Sequence, residues 1–159
     1  MGAKADGLAK QFEAKAQEAT AVMERMSDAD WKKTTAAEKW TVGVTAHHVA
    51  GAHEPIAGIV KTVSTGQSLP HFTMAMLDES NAKHAKEFAN CTKAETIALH
   101  KKGVAAAAAA VRGLSDDQLT KSGTVLAGAP AMSAEQVITN ILINHIDDHF
   151  GSIRKTISA

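Results

Sequence analysis

Residues 142–153, which read LINHIDDHFGSI, combine apolar positions at helical spacing with two histidines, His145 and His149. Residues four apart lie on one face of an α-helix, with their Cβ atoms about 6 Å apart. Apolar side chains surround most of this predicted helix, and such a helix is largely buried. His145 and His149 share a stripe with Ile141 and Leu142, so we expect both imidazoles to face the protein interior.

Three further segments have the apolar spacing of amphipathic helices. Strand-like alternation of β-branched and polar residues is almost absent. The sequence therefore predicts an all-α fold, a four-helix bundle that forms a single domain over residues 1–159. The helices are expected from about Ala5 to Met26, from the N-cap Thr41 to Ser64, from Thr73 to Arg112 with an interruption at Asn90-Cys91, and from the cap at Ser133 to Ile157.

The composition excludes several classes of function. Seventeen basic residues balance seventeen acidic ones, and only three of the basic residues are arginines. No broad positively charged surface that would attract nucleic acid or an anionic membrane is therefore expected. Cys91 is alone and forms no internal disulfide, which fits a reducing cytoplasm. No apolar run approaches the roughly 20 residues of a membrane span. We therefore expect a soluble cytoplasmic protein.

His48 is a candidate third partner for the His145–His149 pair. It lies seven residues after Thr41, and His149 lies eight residues before Ile157. If the second and fourth helices run antiparallel, the three imidazoles fall at the same depth; in a parallel pair they would miss by about 7 Å. A metal ion would satisfy several buried imidazoles together and leave a coordination position open. The alternative at this point is a set of hydrogen-bonded histidines without metal.

Two segments resemble the DinB/YfiT-like superfamily. Residues 40–50, WTVGVTAHHVA, have its Trp-Ser/Thr-Val opening with a histidine eight residues after the tryptophan, and residues 142–153 have its terminal His-x-x-x-His followed by Gly-x-Ile. This alignment selects His48 rather than His47. Residues 77–81, LDESN, are similar to the Asp-x-x-Asn start of the third helix in the mycothiol-dependent maleylpyruvate isomerase branch. Ser152 is a departure, because many relatives carry Gln there.

The resemblance implies a bundle of up-down-down-up topology, with a crossover near residues 65–71. It implies that His48, His145 and His149 hold a divalent metal, usually zinc or nickel, with water at the open positions. It also implies a small-molecule substrate and a homodimer. Asp78 and Asn81, at the start of the third helix, are candidates to line the substrate pocket.

The leading functional hypothesis is a metal-dependent enzyme that activates a low-molecular-weight thiol, of S-transferase or isomerase type, or water. A metal-dependent hydrolase is the alternative, with Asp78 the nearest candidate for a general base. A third hypothesis is a non-catalytic, metal-stabilised dimeric stress or binding module. No catalytic residue is identified by the sequence.

The remaining histidines are expected outside the site. His47 is one position off the stripe of His48 and is predicted to face solvent, while His53 and His84 are predicted as ordinary helix positions. His100 is predicted to be solvated beside its lysine neighbours. Either Asp147 or Asp148 could orient a ligand imidazole through its second nitrogen, although solvation or capping is the simpler role.

Overall fold

A computed structural model describes residues 2–69 and 71–158 of the chain. Pro70, which belongs to the break expected before the third helix, lies outside the described residues. The four helices of the bundle are α1 (Ala3–Arg25), α3 (Val42–Ser64), α5 (Lys93–Arg112) and α8 (Asn144–Ile157), and the other helices described are α2 (Asp28–Trp31), α4 (Met74–Glu87), α6 (Asp116–Thr120) and α7 (Ala134–Val137).

Contacts at both ends of α1 give the directions of its neighbours. Arg112, at the end of α5, bonds Asp6 at the start of α1, while the Nζ atom of Lys93 donates to the carbonyl of Met26. The two helices are therefore antiparallel. The Nζ atom of Lys15 lies 3.3 Å from an oxygen of Asp147, on α8.

Contacts of α3 and of the last helical segment give the remaining helix directions in the bundle. The Trp31 indole packs against Gly43 at the start of α3 and donates to the carbonyl of Cys91, just before α5. Further along, His53 of α3 meets His100 of α5, so these two helices run parallel. The ion pairs Lys4–Glu135 and Lys15–Asp147 show that α1 and the last helical segment run parallel. The up-down-down-up four-helix bundle is confirmed, with α3 and α8 antiparallel.

Local signals place the helix starts where they were expected. The Thr41 hydroxyl accepts from the backbone N–H of Val44, which caps α3. Thr92 and Glu95 form a reciprocal capping box, and this fixes the first turn of α5 after the predicted interruption. The α3 helix continues through Pro55 to Ser64 as predicted.

The last helix differs from the expectation of one uninterrupted α-helix. Residues Ile138–Ile143 form a π-helical segment between α7 and α8. A π segment widens the turn and shifts the angular position of everything after it, and such segments are often found at functional sites. A short antiparallel pair of strands, β1 (Ser122–Gly123) and β2 (Met132–Ser133), lies between α6 and α7. In the described residues, no helix has both the length and the apolar character that crossing a membrane requires.

Candidate metal centre

The structure brings together the three histidines that the sequence singles out. His48 comes from α3, and His145 and His149 come from successive turns of α8. One nitrogen from each ring lies within 4.8 Å of the others, and the Nε2 atoms of His48 and His145 are 3.0 Å apart. The antiparallel packing of α3 and α8 therefore places the three side chains at one depth, as the spacing argument requires.

The donor set fits a divalent metal ion. Burial, strengthened by neighbouring imidazoles, lowers the pKa of His48 to about 4 and the pKa of His145 to about 3. Both rings are consequently neutral at pH 7, so an Nε2 lone pair is available for coordination. Two nitrogens bound to one tetrahedral zinc ion would be about 3.3 Å apart. The 3.0 Å separation of the two Nε2 atoms is close to that value.

Glu38 orients the third imidazole. Its Oε2 atom lies 2.7 Å from Nδ1 of His149, and its Oε1 atom accepts from the Ser152 hydroxyl at 2.7 Å. Burial alone would raise the pKa of Glu38, but hydrogen bonds from Ser152, His149 and Thr35 hold it below its ordinary value. Because Nδ1 of His149 donates to this carboxylate, its Nε2 atom is free for a metal, an arrangement that fixes tautomer and orientation in metal sites.

Sequence reasoning missed the role of Glu38. Glu38 lies in a turn at residues 36–38, before α3, and nothing in the neighbouring sequence indicates a contact with α8. The sequence candidates for orienting an imidazole make other contacts: Asp147 pairs with Lys15, and Asp148 accepts from the Asn144 amide. Glu38 comes into range only because α8 runs antiparallel to α3 and ends beside the segment that precedes it.

His47 does not face solvent as the sequence predicted; only 6% of it is exposed. The α4 helix covers this side of α3, so that the His47 ring stacks on Phe88 with centroids 4.1 Å apart. Its Nδ1 atom lies 2.8 Å from Nε2 of His84. The His84 ring is in turn 5.8 Å from the ring of His48, so this pair borders the three-histidine cluster.

The prediction that His100 is solvated was also wrong, and His53, predicted as an ordinary helix position, lies beside it. Both side chains are buried in the core, with 0% and 1% exposed. Gly103 allows α5 to approach α3 so closely that an added Cβ would lie 3.2 Å from the Cβ of His53. His100 points into this contact, while the adjacent Lys101 and Lys102 point to solvent.

The proposed pocket residues lie on α4. Asp78 is exposed and Asn81 is half-buried, and their role in binding a substrate stays a prediction. A separate open groove of about 810 Å³ lies beside Ser152, between α8 and residues 33–37. His71, at the end of the crossover, is exposed.

The chain is similar to proteins of known fold. Residues 12–143 match the family described as the mycothiol maleylpyruvate isomerase N-terminal domain, a range that includes His48 and stops before His145. The crystal structure of the mycothiol-dependent maleylpyruvate isomerase superposes with a TM-score of 0.75 at 15% identity, covering 94% of this chain and 60% of that one. This chain thus spans about 60% of the isomerase's length.

YfiT from Bacillus subtilis, described as a probable metal-dependent hydrolase with an unusual four-helix bundle topology, is also similar. It superposes with a TM-score of 0.79 at 18% identity, covering 98% of this chain and 87% of that one. At these identities the superpositions show a shared fold. No curated protein sequence matches the chain.

Proposed function

Because the chain belongs to the mycothiol maleylpyruvate isomerase N-terminal domain family, we propose that it is a metal-dependent, thiol-activating enzyme. His48, His145 and His149 would hold one divalent ion, zinc or nickel. A low-molecular-weight thiol would be the cosubstrate for transfer to, or isomerisation of, a small molecule. The observation that carries the proposal is the convergence of the three ring nitrogens within 4.8 Å.

The chain's own residues have distinct parts in this proposal. His48 and His145 supply neutral donors because burial keeps their pKa values far below 7. Glu38 and Ser152 hold the ring of His149 in one tautomer. A divalent ion with an open position would lower the pKa of a thiol or a water molecule that binds there.

A metal-dependent hydrolase is the second candidate, favoured by the similarity to YfiT. The same three histidines would hold the ion, and water would replace the thiol. Such chemistry requires a general base within reach of that water. Glu38 is already bonded to His149 and Ser152, which leaves Asp78 of α4 as the candidate for that role.

Cobalt substitution tests the thiol proposal directly. We expect the Co²⁺-loaded protein to develop an intense near-ultraviolet sulfur-to-metal charge-transfer band when mycothiol or another cellular thiol is added, since the name of the family points to thiol chemistry. The His149→Ala protein is the control. A Co²⁺ site that binds none of the cellular thiols would contradict thiol activation. If it then hydrolysed a substrate, the second candidate would be favoured, and if it showed no turnover, the non-catalytic module would be.

Replacing Glu38 is expected to weaken metal binding without removing a ligand. The Glu38→Ala change frees the His149 ring to rotate and to change tautomer, so we expect the zinc dissociation constant to rise about 10- to 100-fold. Glu38→Gln, which retains an acceptor oxygen, should have the smaller effect. Competition with a chromophoric chelator measures both. Glu54→Gln, at an exposed position of α3, is the matched control. Wild-type affinity in Glu38→Ala would show that the carboxylate does not position His149.

A further inference from the structure

The segment between α2 and α3 contacts two of the three proposed metal ligands. The Oε2 atom of Glu38 lies 2.7 Å from Nδ1 of His149. Two residues later, the ring of Trp40 packs against the ring of His48 with centroids 5.2 Å apart and an interplanar angle of 66°. His48 belongs to α3 and His149 to α8. This segment, the α2–α3 turn (residues 33–41), therefore contacts ligands from both helices of the site.

Hydrogen bonds hold the two arms of the α2–α3 turn together. Thr34 and Thr41 form an antiparallel bridge. Next to this bridge, the N–H of Thr35 donates to the carbonyl of Trp40, with 2.8 Å between N and O. The buried Thr35 hydroxyl donates to the same carbonyl. Because Thr41 is also the N-cap of α3, the turn is fixed to the first residues of that helix.

Lys39, between Glu38 and Trp40, has a φ of 63°, and within the described residues no other residue except glycine has a positive φ. Its N–H donates to the carbonyl of Thr35 at 3.0 Å, which closes a five-residue turn. Such a bond to a left-handed residue commonly ends a helical turn, and glycine is usual there because a Cβ atom disfavours positive φ. The conformation of Lys39 sets the angle between the two side chains that contact the ligands.

Resting on the proposed metal function, we propose that Lys39 is a positioning residue. Its left-handed backbone conformation sets the α2–α3 turn, which holds His149 through Glu38 and His48 through Trp40. The Lys39 side chain is exposed, so its effect on the site comes from the backbone. A substitution that positive φ tolerates keeps both contacts, and one that positive φ disfavours displaces both.

Three substitutions at Lys39 separate backbone conformation from side-chain charge. Lys39→Val puts a β-branched residue at a positive φ, which is strongly disfavoured. We expect its zinc dissociation constant to rise about 10- to 100-fold, the range found when the partner of a metal-bound imidazole is lost. Lys39→Gly adopts the same conformation without steric cost and should bind zinc within a few-fold of wild type. Lys39→Ala removes the same charge but keeps the Cβ atom, and it should also stay within a few-fold.

The conformation of Lys39 can be tested without metal. In the metal-free protein at pH 7, Lys39→Gly should unfold at a higher urea concentration than Lys39→Ala, because only glycine lacks the Cβ atom that disfavours positive φ. An equal or lower midpoint for Lys39→Gly would overturn the left-handed conformation and the positioning role that depends on it.

A double-mutant cycle with Glu38→Ala tests whether Lys39 acts through Glu38. Lys39→Val should raise the zinc dissociation constant less in the Glu38→Ala background than in wild type, because one of the two contacts is already absent. Nitrogen-15 NMR at saturating zinc should show a hydrogen-bonded Nδ1–H of His149 in wild type and Lys39→Gly but not in Lys39→Val. Circular dichroism checks that each variant is folded.

Trp40 variants test the other contact and remain informative if Lys39→Val does not fold. Trp40→Leu removes the aromatic ring beside His48, so we expect the zinc dissociation constant to rise about 10-fold. Trp40→Phe keeps a ring there and should stay within a few-fold of wild type. Equal zinc affinity in Trp40→Leu and wild type would overturn the contact with His48 as a positioning contact.

Two kinds of failure are distinguishable. Wild-type zinc affinity in a folded Lys39→Val protein, or an undiminished effect of that change in the Glu38→Ala background, would overturn the positioning role alone. A wild-type protein that binds no divalent metal would overturn the proposed function and this inference with it.

Discussion

The His48→Ala protein is expected to lose divalent-metal binding, with the dissociation constant raised on the order of a thousand-fold or more. His48 is the only member of the cluster contributed by α3, and its Nε2 atom lies 3.0 Å from that of His145. Without it, only two imidazoles on successive turns of α8 remain. Metal analysis of protein purified without chelating resin, together with calorimetric titration of zinc and nickel, measures the effect.

His71→Ala is the control for this variant, because it removes an exposed imidazole from the crossover. It should bind metal as wild type does. Circular dichroism of both proteins at pH 7 separates loss of a ligand from loss of the fold. Full metal occupancy in a folded His48→Ala protein would show that the three histidines are not the ligand set.

Much of this arrangement is predictable because its causes are local. Thr41 and Thr92 are N-caps whose hydroxyls bond the third following N–H, and such signals are readable from a few neighbouring residues. Once α3 and α8 are antiparallel, the depth of His48 follows from counting residues along each helix. The meeting of the three imidazoles is therefore a consequence of helix starts and topology.

The missed features depend on contacts between distant segments. Glu38 is 111 residues from His149, and no periodic pattern connects a turn residue with the end of the chain. His100 follows the buried Thr96 by one helical turn, but its two lysine neighbours made solvation the simpler interpretation. Gly103, which lets α5 approach His53, carries no side chain that a pattern could detect. The π segment likewise changes the angle of α8 without a distinctive sequence signal.

The metal-free protein is expected to lose stability steeply between pH 6.5 and pH 4. Burial lowers the pKa of His48 to about 4, and those of His53 and His145 to about 3, whereas an unfolded histidine titrates near 6.5. Below pH 6.5 the unfolded chain therefore binds protons that the folded chain does not, so the free energy of unfolding falls as the pH falls. Each of these three histidines contributes up to about 1.4 kcal/mol per pH unit. Together they contribute up to about 4 kcal/mol per pH unit.

Urea unfolding at pH 7, 6 and 5, followed by far-ultraviolet circular dichroism, measures this slope. The expected loss is comparable with the roughly 5–15 kcal/mol that stabilises a typical domain, so the metal-free protein should be strongly destabilised near pH 4. His53→Phe removes one of the histidines whose pKa burial lowers, and it should reduce the slope by up to about 1.4 kcal/mol per pH unit. A stability that is flat between pH 7 and pH 5 would mean that these rings are protonated in the fold.

Zinc should add a nearly constant amount to the free energy of unfolding between pH 7 and pH 5.5, because His48 and His145 stay unprotonated in the fold over that range. Metal binding usually weakens in acid because protons compete for the ligand atoms. Burial keeps His48 and His145 unprotonated down to about pH 4 even without metal. The free energy of keeping these nitrogens unprotonated therefore lowers the stability of the fold and does not weaken metal binding. The difference in unfolding free energy between zinc-loaded and metal-free protein, measured at pH 7 and pH 5.5, tests this. A difference that disappears by pH 5.5 would show that protons reach the ligand nitrogens in the folded state.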